Sequence, residues 1–244
     1  MNHLKRLAEF KKVLANYHIS DSNKKILTDV KFVLLLAPTS SGRNTIIREL
    51  IKTGDYHYVV SDTTRQPRVN DGIPEQNGVE YWFRNESEVL NDLKAGKYLE
   101  AEIIHSQQVS ATSLKELAAA RQQNRIAITD IDLQGAKNIV EVKPDTTIIL
   151  VLPPSFKEWQ RRFRARGQTA PVEYRRRMET AYKIFESALK HPDYKFVIND
   201  TVADATKQIQ KIAQSGKVDP KLQLRGRQLA QQLYEQTRDL LTRL

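Results

Sequence analysis

Apolar runs and helical repeats take turns along most of the chain. Short β-like stretches at 31–36, 56–60, 125–131, 146–152 and 194–199 alternate with segments of helical apolar spacing at 43–53, 87–95, 113–123, 133–141, 155–165, 171–190 and 203–213. Runs such as Phe32-Val33-Leu34-Leu35-Leu36 are apolar throughout, as strands buried on both faces must be. Strand and helix in alternation predict an α/β fold, a three-layer α/β/α arrangement around a parallel sheet. Two shorter β-like pieces, 79–84 and 98–104, fall together between the first helix and the third strand of that alternation and predict a small antiparallel insert.

Each end of the chain adds a helix outside this alternation. Leu4, Leu7, Phe10, Val13, Leu14 and Tyr17 recur at helical spacing before the polar break Ser20-Asp21-Ser22-Asn23, so residues 1–30 predict a helical extension. A second extension, 217–244, carries a final helix over 220–244, striped by Leu222, Leu229, Leu233, Leu240 and Leu244 and weakened near its start by Gly226. The two terminal helices could pack on each other or on a second subunit, which would make a homodimer. The alternating part, 31–213, is the domain proper.

Composition narrows the function classes. A chain of 244 residues suits one large domain, or one domain with attachments. Without cysteine there is neither a disulfide framework nor a thiolate metal site, and His3, His18, His57, His105 and His191 show no ligand spacing. Charged residues interrupt the N-terminus, and no segment reaches the roughly 18 apolar residues of a membrane span. A cytoplasmic protein without membrane contact is the expectation. The net charge of +10 favours anionic partners, whether nucleotides, nucleic acid or acidic lipid heads, without choosing among them.

Between the first strand and its helix stands Ala37-Pro38-Thr39-Ser40-Ser41-Gly42-Arg43-Asn44-Thr45, the place of a phosphate-binding loop. The pattern G-x-x-x-x-G-K-[S/T] uses one glycine to open the turn, a second before the helix, a lysine for the β- and γ-phosphates and a hydroxyl for magnesium. Gly42 matches, whereas Ala37, Arg43 and Asn44 fill the other three positions. Arg65 and Arg68 lie three apart around Pro67, so either they place two guanidinium forks on one phosphate or they are solvated surface charges. Asp130 closes the run Ile126–Thr129 at the carboxyl end of a parallel strand, where α/β sheets bind ligands, or else it caps the next helix. Seven arginines (161, 162, 164, 166, 175, 176 and 177) form either a phosphate-closing segment, a solvated basic face or an RNA-binding stripe. No aromatic-rich RNA-recognition motif accompanies them, which argues against nucleic acid.

In order along the chain come Val60-Ser61-Asp62-Thr63-Thr64-Arg65-Gln66-Pro67-Arg68, Asn77-Gly78-Val79-Glu80-Tyr81-Trp82-Phe83 and Tyr98-Leu99-Glu100. Asp130-Ile131-Asp132-Leu133-Gln134-Gly135, Pro153-Pro154-Ser155, Arg166-Gly167 and Val197-Ile198-Asn199-Asp200 follow. With these segments the chain resembles the guanylate kinases over about residues 31–213. The resemblance implies a P-loop-type fold with a GMP-binding insert at about 61–112 and a helical lid at about 160–178, ATP as phosphate donor, GMP as acceptor and magnesium as cofactor. On the donor side it implies ATP binding by Ala37, Ser40, Ser41, Gly42, Arg43, Asn44 and Thr45, with Asn199 near the adenine. Arg43, Arg162, Arg166 and Arg177 would act on the transferring phosphates, and Asn44 and, through water, Asp130 on the metal. On the acceptor side Arg65, Arg68 and Tyr81 would hold the GMP phosphate, and Ser61, Glu100, Thr112 and Asp132 the base. A carboxylate at Glu100 accepts two parallel N–H bonds from guanine, which adenine cannot offer.

The match departs from the family at both sites. Ser40 replaces a loop glycine, and if that position is left-handed the change costs about 1–2 kcal/mol. Ala37, Arg43 and Asn44 complete the donor-side departures. On the acceptor side Ser106–Thr112 stands for a G-N-Y-Y-G-[S/T]-like segment, so Val109 lacks a phosphate-binding phenol, Ser110 replaces a glycine and Ala111 lacks a hydroxyl that Thr112 could supply if the backbone shifts. The expectation is an enzyme converting ATP and GMP to ADP and GDP with reduced activity. The alternatives are a non-catalytic module of the same fold that binds a nucleotide or a protein, and a nucleic-acid-binding protein.

Overall fold

The computed structural model describes residues 3–70, 72–167 and 169–244; residues 1, 2, 71 and 168, which belong to the expected N-terminal extension, insert and lid, lie outside the described residues. In chain order the elements are α1 (Leu7–Leu14), α2 (Asp21–Lys24), β1 (Phe32–Leu36), α3 (Arg43–Lys52), β2 (Tyr56–Tyr58), β3 (Asp62–Thr63), β4 (Val69–Asn70), β5 (Ile73–Pro74), β6 (Trp82–Phe83), α4 (Glu86–Lys94), β7 (Tyr98–Ile104) and β8 (Gln108–Ser113). There follow α5 (Leu114–Gln122), β9 (Ile126–Asp130), α6 (Leu133–Val142), β10 (Thr147–Leu152), α7 (Phe156–Arg164), α8 (Pro171–Lys190), β11 (Lys195–Ile198), α9 (Val202–Ser215) and α10 (Pro220–Leu241). They divide into two compact units. The first holds Met1–Lys31, Tyr56–Thr129 and Gln134–Asp145; the second holds Phe32–Asp55, Asp130–Leu133 and Thr146–Leu244.

In the first unit β2 and β9 pair in parallel, and a mixed sheet runs in the order β6-β3-β8-β7. The expected antiparallel insert is therefore corrected: β3 pairs antiparallel with β8 but parallel with β6. The cause is the chain between them, which crosses over through the β4–β5 hairpin instead of turning back tightly. The strand β8 was not expected, because Gln108-Val109-Ser110-Ala111-Thr112 alternates polar with small residues and lacks a strong apolar signal. Along the β7–β8 ladder, Ala101 faces Ala111 and Ile103 faces Val109 on one side, while Glu100 faces Thr112 and Glu102 faces Ser110 on the other. The first side is buried. Leu4 and Phe10 from the N-terminal segment pack there with Val89, Leu90 and Leu93 of α4 and with Tyr98, Val109 and Ala111.

In the second unit β1, β10 and β11 form a parallel ladder with β10 in the middle. Phe32–Leu36 is buried at every position, as expected for a strand covered on both faces. The long α10 packs on α8 and β11. Its buried stripe is Gly226, Ala230, Leu233 and Thr237, and of the five leucines expected to form it only Leu233 belongs. Small residues govern the approach: a Cβ on Gly226 would lie 2.3 Å from that of Phe196, so glycine here serves close packing. Tyr182 and Tyr234 stack with ring centroids 4.6 Å apart and hydroxyls 2.7 Å apart. The amide of Gln223 pairs with backbone beside β11, accepting from the Phe196 N–H at 3.1 Å and donating to the Tyr194 carbonyl at 2.7 Å. Each terminal helix thus buries its apolar face within its own unit.

Candidate functional site

The loop after β1 is pinned from two directions. The Trp159 indole donates to the Thr39 carbonyl and the Asn199 amide donates to the Ser41 carbonyl, both at 2.7 Å. These bonds hold the segment between β1 and α3 in one shape. Gly42 caps α3 in a left-handed conformation with φ of 88°, and an added Cβ would lie 2.2 Å from Asn199 Nδ2, so glycine is required on two counts. Ser40 is also left-handed, with φ of 65°, which is the strained case anticipated for this substitution. The hydroxyls of Ser40 and Ser41 are buried without a hydrogen-bond partner in the protein. Ala37 follows β1 half-buried, and the Thr45 N–H closes the first turn of α3 onto the Gly42 carbonyl. A helix N-terminus under a rigid loop favours an anion.

Arg43 opens α3 and its guanidinium pairs with the Asp130 carboxylate at the end of β9. Its Nε also faces Asn44 Oδ1 at 3.5 Å. Both oxygens expected to serve a metal therefore converge on one guanidinium, a point where positive charge is favoured. Asn199, expected beside an adenine, is buried with its side-chain amide committed to the loop and its carbonyl accepting from Arg162 Nη1 at 3.1 Å. Arg162 also donates to Glu158 at 2.8 Å. Arg161 and Arg162 together hold the Glu158 carboxyl down to about 2, and Arg176 and Arg177 do the same to Glu173. Arg177 lies over the Phe163 ring at 5.7 Å, and Arg166 is exposed in the turn after α7. Carboxylates on α7 and α8 thus orient Arg161, Arg162, Arg176 and Arg177.

The mixed sheet of the first unit carries a second cluster on the side facing away from α1. Glu100 and Thr112 are direct neighbours there, and the Thr112 hydroxyl donates to the Glu100 carboxylate at 2.6 Å. By continued alternation Ser61 and Arg65 flank Thr63 on this side. The Arg65 guanidinium lies over the rings of Tyr81 and Phe83, at 4.7 and 5.5 Å. Its fork is closed by Glu75, at 2.5 and 2.9 Å, and the Arg68 N–H donates to the same carboxylate at 2.8 Å. Arg65 and, to a lesser degree, Arg68 hold the Glu75 carboxyl down to about 2. A bidentate carboxylate mimics the oxygens a phosphate would present to this fork. The Arg68 side of this pair is exposed, and Asp132 belongs to the other unit, between β9 and α6.

The ladder revises the acceptor-side departures. Val109 and Ala111 point into the core beneath the sheet, so neither stands on the face that carries Glu100. The hydroxyl opposite Glu100 is Thr112, and Ser110 is its neighbour on that face.

A family model described as guanylate kinase matches residues 29–216. The chain belongs to the guanylate kinase family. The guanylate kinase of Clostridioides difficile (strain 630) is 33% identical over 192 residues, covering 77% of this chain and 90% of that protein. That of Corynebacterium diphtheriae is 32% identical over 184 residues, covering 75% and 93%. The crystal structure of guanylate kinase from Anaplasma phagocytophilum superposes with a TM-score of 0.54 at 23% identity, covering 82% of this chain and 92% of that one, and shows the shared α/β fold. Membership of this family implies phosphorylation of GMP by ATP. Among the described residues, no helix is long and apolar enough to cross a membrane. Two residues that shape these clusters escaped sequence reasoning. Glu75 lies in a polar stretch whose spacing from Arg65 and Arg68 was a usable signal, whereas nothing local to Trp159 points to the loop it bonds.

Proposed function

We propose that the chain transfers the γ-phosphoryl group of ATP to GMP, giving ADP and GDP. The observation that carries this reading is Glu100, whose carboxylate is held by Thr112 on the same sheet face as the Arg65 fork. A carboxylate in that setting accepts from the N1 and amino N–H groups of guanine and leaves adenine badly paired. Ser61 and Asp132 assist on the base. Arg65, Arg68 and Tyr81 take the phosphate, which displaces Glu75 from the Arg65 fork.

On the donor side the backbone of Ala37–Thr45 cradles the triphosphate, with the orphaned Ser40 and Ser41 hydroxyls as further donors, and Asn199 keeps the loop in shape. Magnesium arriving with ATP would be held by the Asn44 amide oxygen and, through water, by Asp130, where it neutralises phosphate charge. Arg43, Arg162, Arg166 and Arg177 stabilise the charge spread over the transferring group, so no side-chain base or covalent intermediate is required. Arg43 must leave Asp130 to do so, and this competition supports a lower rate than a lysine-bearing loop would give. The same ion pair favours a second reading, a module that binds GMP without transferring phosphate. A coupled ADP-release assay with GMP separates the two: turnover that collapses in Glu100→Ala supports the kinase. Calorimetric GMP binding without turnover at high ATP and magnesium would leave only the module.

A further inference from the structure

The N-terminal extension is joined to the sheet of the first unit at both ends of the β7–β8 hairpin. At the tip, the Leu4 N–H donates to the Ser106 carbonyl at 3.2 Å. At the base, the Tyr17 hydroxyl meets the backbone of Tyr98 twice, accepting from its N–H at 2.8 Å and donating to its carbonyl at 2.5 Å. Between these points Phe10 is fully buried against the underside of the hairpin.

The lower attachment coincides with an irregularity in the ladder. Tyr98 pairs with Ser113 and Glu100 with Thr112, so β7 spends one residue more than β8 over this step. Such a bulge changes which way the following side chains face. In a regular strand Tyr98 and Glu100, two apart, would share a face. Here Tyr98 lies in the core with its hydroxyl donating to Asp62 at 2.7 Å, while Glu100 is on the opposite face with Thr112. A slip of one residue would turn Glu100 into the core. As β7 is the edge strand of this sheet, the outward N–H and C=O of Tyr98 have no ladder partner, and one hydroxyl of Tyr17 satisfies both.

We infer that Tyr17 is a positioning residue for base recognition: by clamping the bulge at Tyr98 it keeps Glu100 on the ligand face. This rests on the reading of Glu100 as the guanine acceptor. Burial pushes the Tyr17 hydroxyl up to about 12, so it remains a donor at any working pH.

The test is Tyr17→Phe in the full chain, which retains the ring in the core. Calorimetry would give affinities for GMP, AMP and ATP, and amide hydrogen exchange would report on 98–104 and 108–113. The expected result is a GMP affinity about tenfold weaker, from two lost backbone hydrogen bonds, with ATP affinity unchanged, poorer discrimination of GMP from AMP and faster exchange at Tyr98. Equal losses for ATP and GMP with a lower melting temperature would mean a merely structural tyrosine and overturn the inference. So would unchanged GMP affinity with faster exchange at Tyr98, since the clamp would then not serve the site. Wild-type protein that binds no GMP would instead remove the guanine reading itself, and the inference with it.

Discussion

Replacing Ser40 by glycine should stabilise the second unit. Ser40 holds φ of 65°, and a left-handed non-glycine residue costs about 1–2 kcal/mol that glycine does not. Its buried hydroxyl lacks a partner in the protein, which adds a desolvation cost of about 1–3 kcal/mol. Against these stands the greater unfolded-chain entropy of glycine, about 0.5–1 kcal/mol, leaving roughly 1–4 kcal/mol in favour of Ser40→Gly. Ser40→Ala keeps the Cβ and removes only the hydroxyl, so it should gain less. The chain has two tryptophans, Trp82 in the first unit and Trp159 in the second, the latter bonded to the loop itself. In a Trp82→Phe background, urea unfolding followed by fluorescence reads the second unit alone. Ser40→Gly no more stable than Ser40→Ala would refute stored backbone strain at this position. Calorimetry on the same proteins then asks a separate question: if the hydroxyl binds phosphate, both variants lose ATP affinity while gaining stability.

Three further outcomes are expected. Because Arg65 lowers the Glu75 pKa from 4.5 to about 2, the pair adds stability that is complete above about pH 4.5 and is lost as pH falls toward 2; Glu75→Gln should flatten the acid unfolding of the first unit followed by Trp82. Arg43→Lys combined with Asn44→Ser should release Asp130 from the Arg43 fork and raise both ATP affinity and its dependence on magnesium, measured by titration with and without the metal; no change would show that the ion pair does not limit the donor site. Gly226→Ala places a Cβ 2.3 Å from that of Phe196 and should destabilise by about 1–3 kcal/mol through overpacking, even after about 1 kcal/mol of helix propensity is regained, as thermal unfolding would show.

The strands at 32–36, 126–130 and 147–152 were legible because apolar runs between turn residues leave few other structures open. The connection at 37–45 was legible by its position between such a strand and a helix. What escaped depends on partners distant in sequence. Nothing local in Gln108–Ser113 marks it as a strand; its neighbours in the sheet do. Nor does local pattern show that Thr112, and not Ala111, stands opposite Glu100, since a bulge one residue long decides it. Glu75 acquires its role only when the β4–β5 hairpin carries it back to Arg65. The leucines of α10 looked like its packing stripe, yet close approach to Phe196 favours the small residues instead.

The pairing of Gln223 with backbone at Tyr194 and Phe196 has a consequence for anyone who shortens this protein. A cut after residue 213 respects the helix and strand pattern and would look harmless. It would strip the outermost strand β11 of the side chain that holds the Phe196 N–H and the adjoining Tyr194 carbonyl, and a bare strand edge recruits further strands. The last helix is thus a stopper against strand addition, and the shortened chain should self-associate through β11 more readily than the full-length chain.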